Sequence, residues 1–334
     1  MSLSPQERVR YQPCPGEPTF VTRWLSALAI SLMFLFSLAV HGQPVPLPPV
    51  DLGATSFGDG IGGPGLFVQD IVEPFHASSF MGPNGQKLPG NNALDFVASL
   101  TEVAYTSHFR LFGANYGGEM LVPFAHVDVD SDLGTRGTQG GMGDLIFSPF
   151  LLQWPEHKLF GKPFFQRLHV VELIVPTGRY ERSASVNVGS NVFSVSPQYA
   201  FTVLLTSQWE TSWRLHYLWN SRNNDPNPVY NARSIQPGQA VHFNASLSCK
   251  LHPRLRLGLA GYYLKGITDP KIDSRRLVDS REQIGALGPG LWVATRPMEI
   301  YFHAFLEMGA ENRPQGVRYV VRLAKVLPAK PKNN

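Results

Sequence analysis

The sequence is short of charge. Only 16% of its 334 residues are Asp, Glu, Lys or Arg, against roughly 25% in an ordinary soluble domain, so a conventional solvated surface is not what this composition builds. Cysteine is nearly absent: of Cys14 and Cys249, the first precedes an apolar run and the second stands alone, which excludes a disulfide scaffold and any cysteine-based metal site. No HExxH pair and no GxSxG turn occurs, so neither a helical metal pair nor a nucleophile elbow is available. The net charge of +4 is scattered and no nucleic-acid motif accompanies it, so a nucleic-acid partner is not expected. Past residue 50 no apolar run is long enough for a membrane helix.

What is present is turn chemistry and one apolar run. With 31 Gly and 28 Pro, the chain suits many short strands joined by turns. Residues 24–40, WLSALAISLMFLFSLAV, are uncharged and follow Arg8, Arg10 and Arg23. They read as an export signal over 1–42, cleaved near Gly42; the alternative is an uncleaved membrane helix, short for a hydrocarbon core of about 30 Å. A Pro/Gly-rich linker over 43–63 follows, free to stay outside a barrel or to reach into one. Residues 64–327 form the folded body and 328–334 a polar tail.

The body alternates. In Trp209–Asn220, Trp209, Thr211, Trp213, Leu215, Tyr217 and Trp219 share one face, and Glu210, Ser212, Arg214, His216 and Asn220 the other. Val241–Leu251 and Met298–Met308 repeat the pattern. About twelve such segments are expected, near residues 65–76, 92–104, 107–129, 141–153, 164–175, 191–203, 207–219, 239–251, 254–266, 282–294, 298–309 and 315–327. Long connections are expected at 77–91, 130–140, 176–190, 220–238 and 267–281, with short ones between, apart from a longer 154–163. A soluble lipocalin-like barrel reads the same with its apolar face inward. Aromatics near strand ends and alternating loop lengths favour an all-β, transmembrane, antiparallel up-and-down barrel of the outer-membrane type.

In that fold the polar faces turn inward, because Arg or Lys facing mid-bilayer lipid costs about 2–4 kcal/mol. Candidate lumen-lining residues are Glu210, Arg214, His216, His242, Asn244, Lys250, Arg254, Arg256, Glu299, His303, Glu307, Arg318 and Arg322. They are read either as structural pairs filling a narrow barrel or as a permeation path. No catalytic residue, metal ligand or cofactor is expected. His242 and Ser246 share a face, but four strand residues separate them by about 13 Å, too far for direct proton transfer.

Several motifs also carry a family resemblance: GNNALDF, FGANYGGEMLVPFAHVDVD, VPTGRYE, NVGSNVFSVSPQYAFT, GLAGYYLKGITDPKIDS, SREQIGALGPGLW and ENRPQGVRYVVRLAKVL. In this order they resemble the outer-membrane proteins of the meta-pathway phenol-degradation type, over most of the chain after residue 60. The resemblance implies an outer-membrane barrel that helps small hydrophobic or aromatic solutes enter passively, without enzymatic activity. Its partners are then membrane lipid and lipopolysaccharide, the barrel-assembly machinery and the solute. The alternatives are a structural or docking barrel and an outer-membrane lipid hydrolase. The solute, the pore size and the oligomeric state are not written in the sequence.

Overall fold

The computed structural model describes residues 45–328 except Ser56 and Arg296. The expected signal peptide and residues 329–334 lie outside the described residues. Twelve antiparallel staves close on themselves. We number them β1 (Gly65–Met81), β2 (Asn92–Leu111), β3 (Ala114–Ser131), β4 (Arg136–Met142 and Leu145–Gln153), β5 (Lys162–His169 and Leu173–Val175) and β6 (Ser194–Val195 and Gln198–Leu204). The others are β7 (Trp209–Asn220), β8 (Ala240–His252), β9 (Leu255–Gly266), β10 (Gln283–Ala294), β11 (Glu299–Glu311) and β12 (Arg313–Pro328). Each pairs with the next, and β12 returns to β1, from Gly65 opposite Pro328 to Met81 opposite Arg313. Closure leaves no edge with unpaired backbone, the condition for a sheet to cross a bilayer.

The faces are inverted relative to a soluble barrel. On β7, Trp209, Leu215, Tyr217 and Trp219 are exposed while Glu210, Ser212, His216 and Asn220 are buried. On β8, Val241 and Leu247 are exposed and His242, Asn244, Ser246 and Ser248 buried. Leu257, Leu259, Leu287, Phe302, Leu306, Tyr319 and Leu323 continue the outward apolar surface. A continuous apolar exterior around a polar interior is a surface made for lipid. Phe201, Trp213, Phe243 and Tyr263 run across β6–β9 as a line of rings with centroids 5.7–6.4 Å apart. Among the described residues no helix is long and apolar enough to cross a membrane.

Three expected boundaries move. The connection expected at 77–91 shrinks because β1 runs to Met81, and that expected at 130–140 becomes a short turn because β3 runs to Ser131 and β4 begins at Arg136. Their charged, alternating residues continue the ladder beyond the span that a bilayer needs, about ten residues; β2 is 20 residues long. The β2–β3 boundary, expected near residue 105, falls at Phe112–Gly113, where both residues have positive φ (52° and 78°) and make the tight hairpin turn that this twist requires. The 154–163 connection is a small hairpin, His157–Leu159 paired to the start of β5. The connections 112–113, 154–161, 205–208, 253–254 and 295–298 lie at one end, the short-turn end; the longest, 176–193, 221–239 and 267–282, lie at the other together with 82–91 and the short turns 132–135 and Asn312.

Candidate functional site: the lumen and its insert

The segment expected as a free linker lies inside the barrel. It runs from the long-loop end to the short-turn end, where β1 begins. At the long-loop end the Leu47 backbone N–H donates to Glu282 Oε1 (2.6 Å), and Arg313 backs Glu282 at 3.2 Å. Leu47, Val50 and Leu52 then pack against Leu218, Ala240, Leu264, Ile284 and Phe305. The space left beside Val45 and Leu47, bounded by Gly238, Gln239 and Glu282, is about 10 Å³, no more than one water molecule occupies. The prolines of this stretch suit it to the role, since an extended chain with few N–H donors is cheaper to bury.

Below that level the insert is held by side chains that bond its backbone. Asn244 accepts from the Gly53 N–H (2.7 Å) and donates to the Asp51 carbonyl (3.1 Å). Gly58 N–H is placed between Glu210 Oε2 (3.1 Å) and Ser212 Oγ (3.0 Å). Gly60 donates to Thr202 Oγ1 (2.9 Å), and its carbonyl accepts from Gln153 (3.1 Å). The Arg322 guanidinium donates to the Ala54 carbonyl (3.3 Å) while lying 4.0 Å over the Tyr301 ring. Phe57 meets His303 edge-on at 5.3 Å. Glycine is required at two of these places: a Cβ on Gly53 would stand 2.7 Å from Phe305, and one on Gly60 2.6 Å from the Thr202 backbone.

Charge fixes the centre. Arg214 grips Asp59 with two parallel bonds, 2.9 Å from Nε and 2.5 Å from Nη2, and reaches Asp51 at 3.4 Å. Arg167 stands 3.6 Å from Asp59 on the other side. Burial alone would raise the Asp59 carboxyl, but Arg214 and then Arg167 outweigh it and hold the group below the usual carboxylate range. Asp51 goes the other way: burial, only partly offset by Arg214, raises it. The two carboxylates therefore differ in role, Asp59 as the charged latch and Asp51 as its weaker neighbour.

Of the residues singled out from the sequence, Arg214, Asn244, Glu210, Arg322 and His303 meet the insert directly. His216 lies 3.6 Å from Asp51 and stacks on His242 with centroids 4.1 Å apart. Glu210 also accepts from Ser248, which receives Arg256 (2.9 Å). Farther round the wall Glu307 accepts from Tyr262 (2.6 Å), and Arg318 pairs with Glu73 at 3.3 Å. Glu299 is half-buried toward the short turns, bonded to Trp292 and Tyr301. Lys250 and Arg254 do not join the others. Both are exposed beside the β8–β9 turn, where the register shifts between Lys250 and His252 in the last residues of β8.

The sequence reading missed Asp51, Asp59, Arg167, Gln153, Thr202 and Glu282. Asp59 alone left a signal, a single acid framed by glycines in GDGIGGPG.

None of the curated proteins matches the chain in sequence. Among solved structures it is similar to a crystal structure of an outer membrane channel from Pseudomonas putida F1, with 19% identity, a TM-score of 0.71, and coverage of 84% of this chain and 100% of that one. It is more distantly similar to the translocator domain of the autotransporter NalP from Neisseria meningitidis, at 10% identity, a TM-score of 0.47, and coverage of 91% and 97%. Both likenesses concern the fold. Apart from the end of the last one, the quoted motifs fall within a wider match: residues 77–323 correspond to the family described as "Putative MetA-pathway of phenol degradation", and the chain belongs to that family.

Proposed function

We propose that the chain is a passive outer-membrane channel for small hydrophobic or aromatic solutes, closed in this conformation by residues 45–62. One observation carries the reading. The insert is bound through side chains and short hydrogen bonds and pairs with no wall strand, so it can leave without unzipping the barrel. Family membership, and the likeness to a Pseudomonas barrel described as a channel, support the same reading. The solute class rests on the family's description alone.

Nothing in this mechanism consumes energy. Arg214, Arg167 and Arg322 give the lumen a cationic side facing the buried acids Asp51 and Asp59. With the insert withdrawn, these guanidiniums lose their partners and face the pathway, together with Asn244, Ser212 and the stacked histidines.

The test is reconstitution of the wild type and of a form lacking residues 45–62, reading ion conductance and flux of a neutral monoaromatic compound. Low conductance in the wild type, with high conductance and solute flux in the deletion, is the expected result. Two well-folded barrels that conduct and transport nothing would favour a structural or docking role and end the channel reading.

A further inference from the structure

A second buried polar centre lies on the wall of β3–β6, apart from the contacts that hold the insert. Glu119 on β3, His169 at the end of the first piece of β5 and Glu172 in the gap before its second piece bring one ligating atom each to within 4.8 Å of one another. All three are buried, His169 to 1% exposure.

The interruption of β5 creates this meeting. Residues three apart in a regular strand face opposite sides, so an unbroken β5 would turn His169 inward and Glu172 to lipid. Instead the ladder stops after His169 and resumes at Leu173. Val170 N–H donates to Phe150 O (3.0 Å) and Glu172 O accepts from Ser196 (2.8 Å), which closes the gap with both side chains inside. An interruption of this kind gives up ladder bonds to re-aim a side chain.

The acids of this centre have no direct Lys or Arg partner; Arg167 and Arg214 act on them only from beyond ion-pair distance. Glu102, on β2 two residues out of register with the partner of Glu119, adds a third buried carboxylate. Among the described residues no Lys or Arg comes within 4.0 Å of the carboxylates of Glu102, Glu119 or Glu172; the one cationic candidate at that range is His169, 3.3 Å from Glu119. The neighbouring amides are arranged as donors to the acids. Gln69 donates to Glu102, and Gln198, directly opposite His169 on β6, donates to Glu172. Each of these buried glutamines leaves its carbonyl oxygen without a partner. Buried polar atoms are rarely left so, and buried carboxylates with no cation in direct contact are costly.

A serine-hydrolase triad does not account for the cluster. Ser148 Oγ (3.1 Å) and Glu119 Oε1 (3.3 Å) both approach the same ring nitrogen, Nδ1, whereas a triad needs the base to use one nitrogen for each.

We infer that Glu119, His169 and Glu172 form a binding site for a divalent transition-metal ion of the zinc type, with the Gln198 carbonyl beside it. Imidazole with carboxylates is a donor set that suits zinc. In a four-coordinate site with bonds of about 2.1 Å, ligand atoms stand about 3.4 Å apart; Glu119 Oε1 and His169 Nδ1 are 3.3 Å apart, and Glu172 lies within 4.8 Å of them and would have to close in on binding. The ion would supply a positive charge in direct contact with the acids and tie β3 to the broken stave β5.

The experiment uses the full-length protein in detergent, stripped with a chelator, titrated with Zn²⁺ by calorimetry and with Co²⁺ by visible absorption. Expected are one equivalent bound, an absorption spectrum of a four- or five-coordinate site, and affinity at least tenfold weaker in Glu172→Gln and His169→Gln. Asp128→Asn, which alters an exposed acid on the outer face of β3, should bind as the wild type does. Folding of each variant is checked by heat-modifiable migration; should His169→Gln fail to fold, Glu172→Gln and Glu119→Gln carry the comparison. Absence of binding to the wild type, affinity undiminished in folded variants of the triad, or binding lost in Asp128→Asn would each overturn the inference.

Discussion

Two stretches of the wall, β7–β12 and β4–β6, are built differently. From β7 to β12 every stave is continuous, 12–16 residues long, and supplies many of the side chains that grip the insert: Arg214, Glu210, Ser212, Asn244 and Arg322. From β4 to β6 each stave is broken into two pieces, and the breaks bring Asp144 and Glu172 into contacts that a regular strand does not allow. Asp144, in the gap of β4, accepts from Gly178 N–H (2.9 Å) and Ser190 N–H (2.8 Å). Regular staves give a scaffold that positions by register. Broken ones spend backbone pairing to assemble polar centres.

The sharpest way to separate the two stretches is to remove what the regular one holds. Deleting residues 45–62 should produce the largest change of all, a closed barrel becoming conductive, with the folded wall retained because no stave pairs with the insert. Loss of heat-modifiable migration in the deletion would show instead that the insert is part of the fold.

Next in size is the latch. Arg214→Ala leaves Asp59 buried with one weaker partner, and breaking a buried ion pair on one side typically costs about 3–5 kcal/mol. The expected readout is protease cleavage within residues 45–62 and raised conductance. Replacing both groups, Arg214→Gln with Asp59→Asn, should recover part of the loss, because no unpaired charge then remains buried.

On the outer face, Leu306→Arg places a charge in the lipid-facing band of β11 and should cost about 2–4 kcal/mol if that position is near the bilayer midplane, measured as reduced folding into vesicles. An unchanged folding yield would place the apolar band elsewhere. Smaller is Gly60→Ala, whose Cβ meets the Thr202 backbone; overpacking of this kind costs about 1–3 kcal/mol, seen as faster proteolysis of the insert with the wall intact.

The smallest effect is in pH. Asp59 is depressed, so its contribution to docking is fully present above the ordinary carboxylate range, near 4, and is lost as pH falls below that range through its own value. Conductance should therefore be flat from neutral down to about pH 5 and rise only in stronger acid. A rise beginning near neutrality would assign the latch to a group other than Asp59.

How much of this was legible follows the same division. β7, β8 and β11 could be read residue by residue, since each alternates without interruption and its polar face is the inner one. The twelve staves and the closed antiparallel topology follow from such segments and the turns between them. The broken staves could not be read that way. His169 and Glu172 have the wrong spacing for one face, and only the gap in β5 brings them together. The extension of β1–β3 was hidden because HVDVDSD looks like a solvated loop when the bilayer is taken as the limit of the strand. The insert was hidden for a different reason: QPVPLPPV and GDGIGGPG have no period, and what orders them is the wall around them. Arg214 and Asn244 were named as inward-facing, but their partners, Asp59, Asp51 and Gly53, lie about 150–190 positions away and carry no pattern that pairs them.

The path of the insert has a mechanical outcome. Leu47 is fastened at the long-loop end by Glu282, while Gly65 begins the wall at the opposite end, paired on both sides to Thr106 and Pro328. The segment is thus threaded through a ring whose first stave is its own continuation. Such a thread cannot slip out sideways while β1 and β12 stay joined, and it cannot be pushed through, because its rear is sewn into the rim. It can only be drawn back along the axis, its leading end travelling the length of the barrel while Gly65 stays still. On the proposed channel reading, residues 61–64, Ile-Gly-Gly-Pro, are the pivot of a tethered stopper.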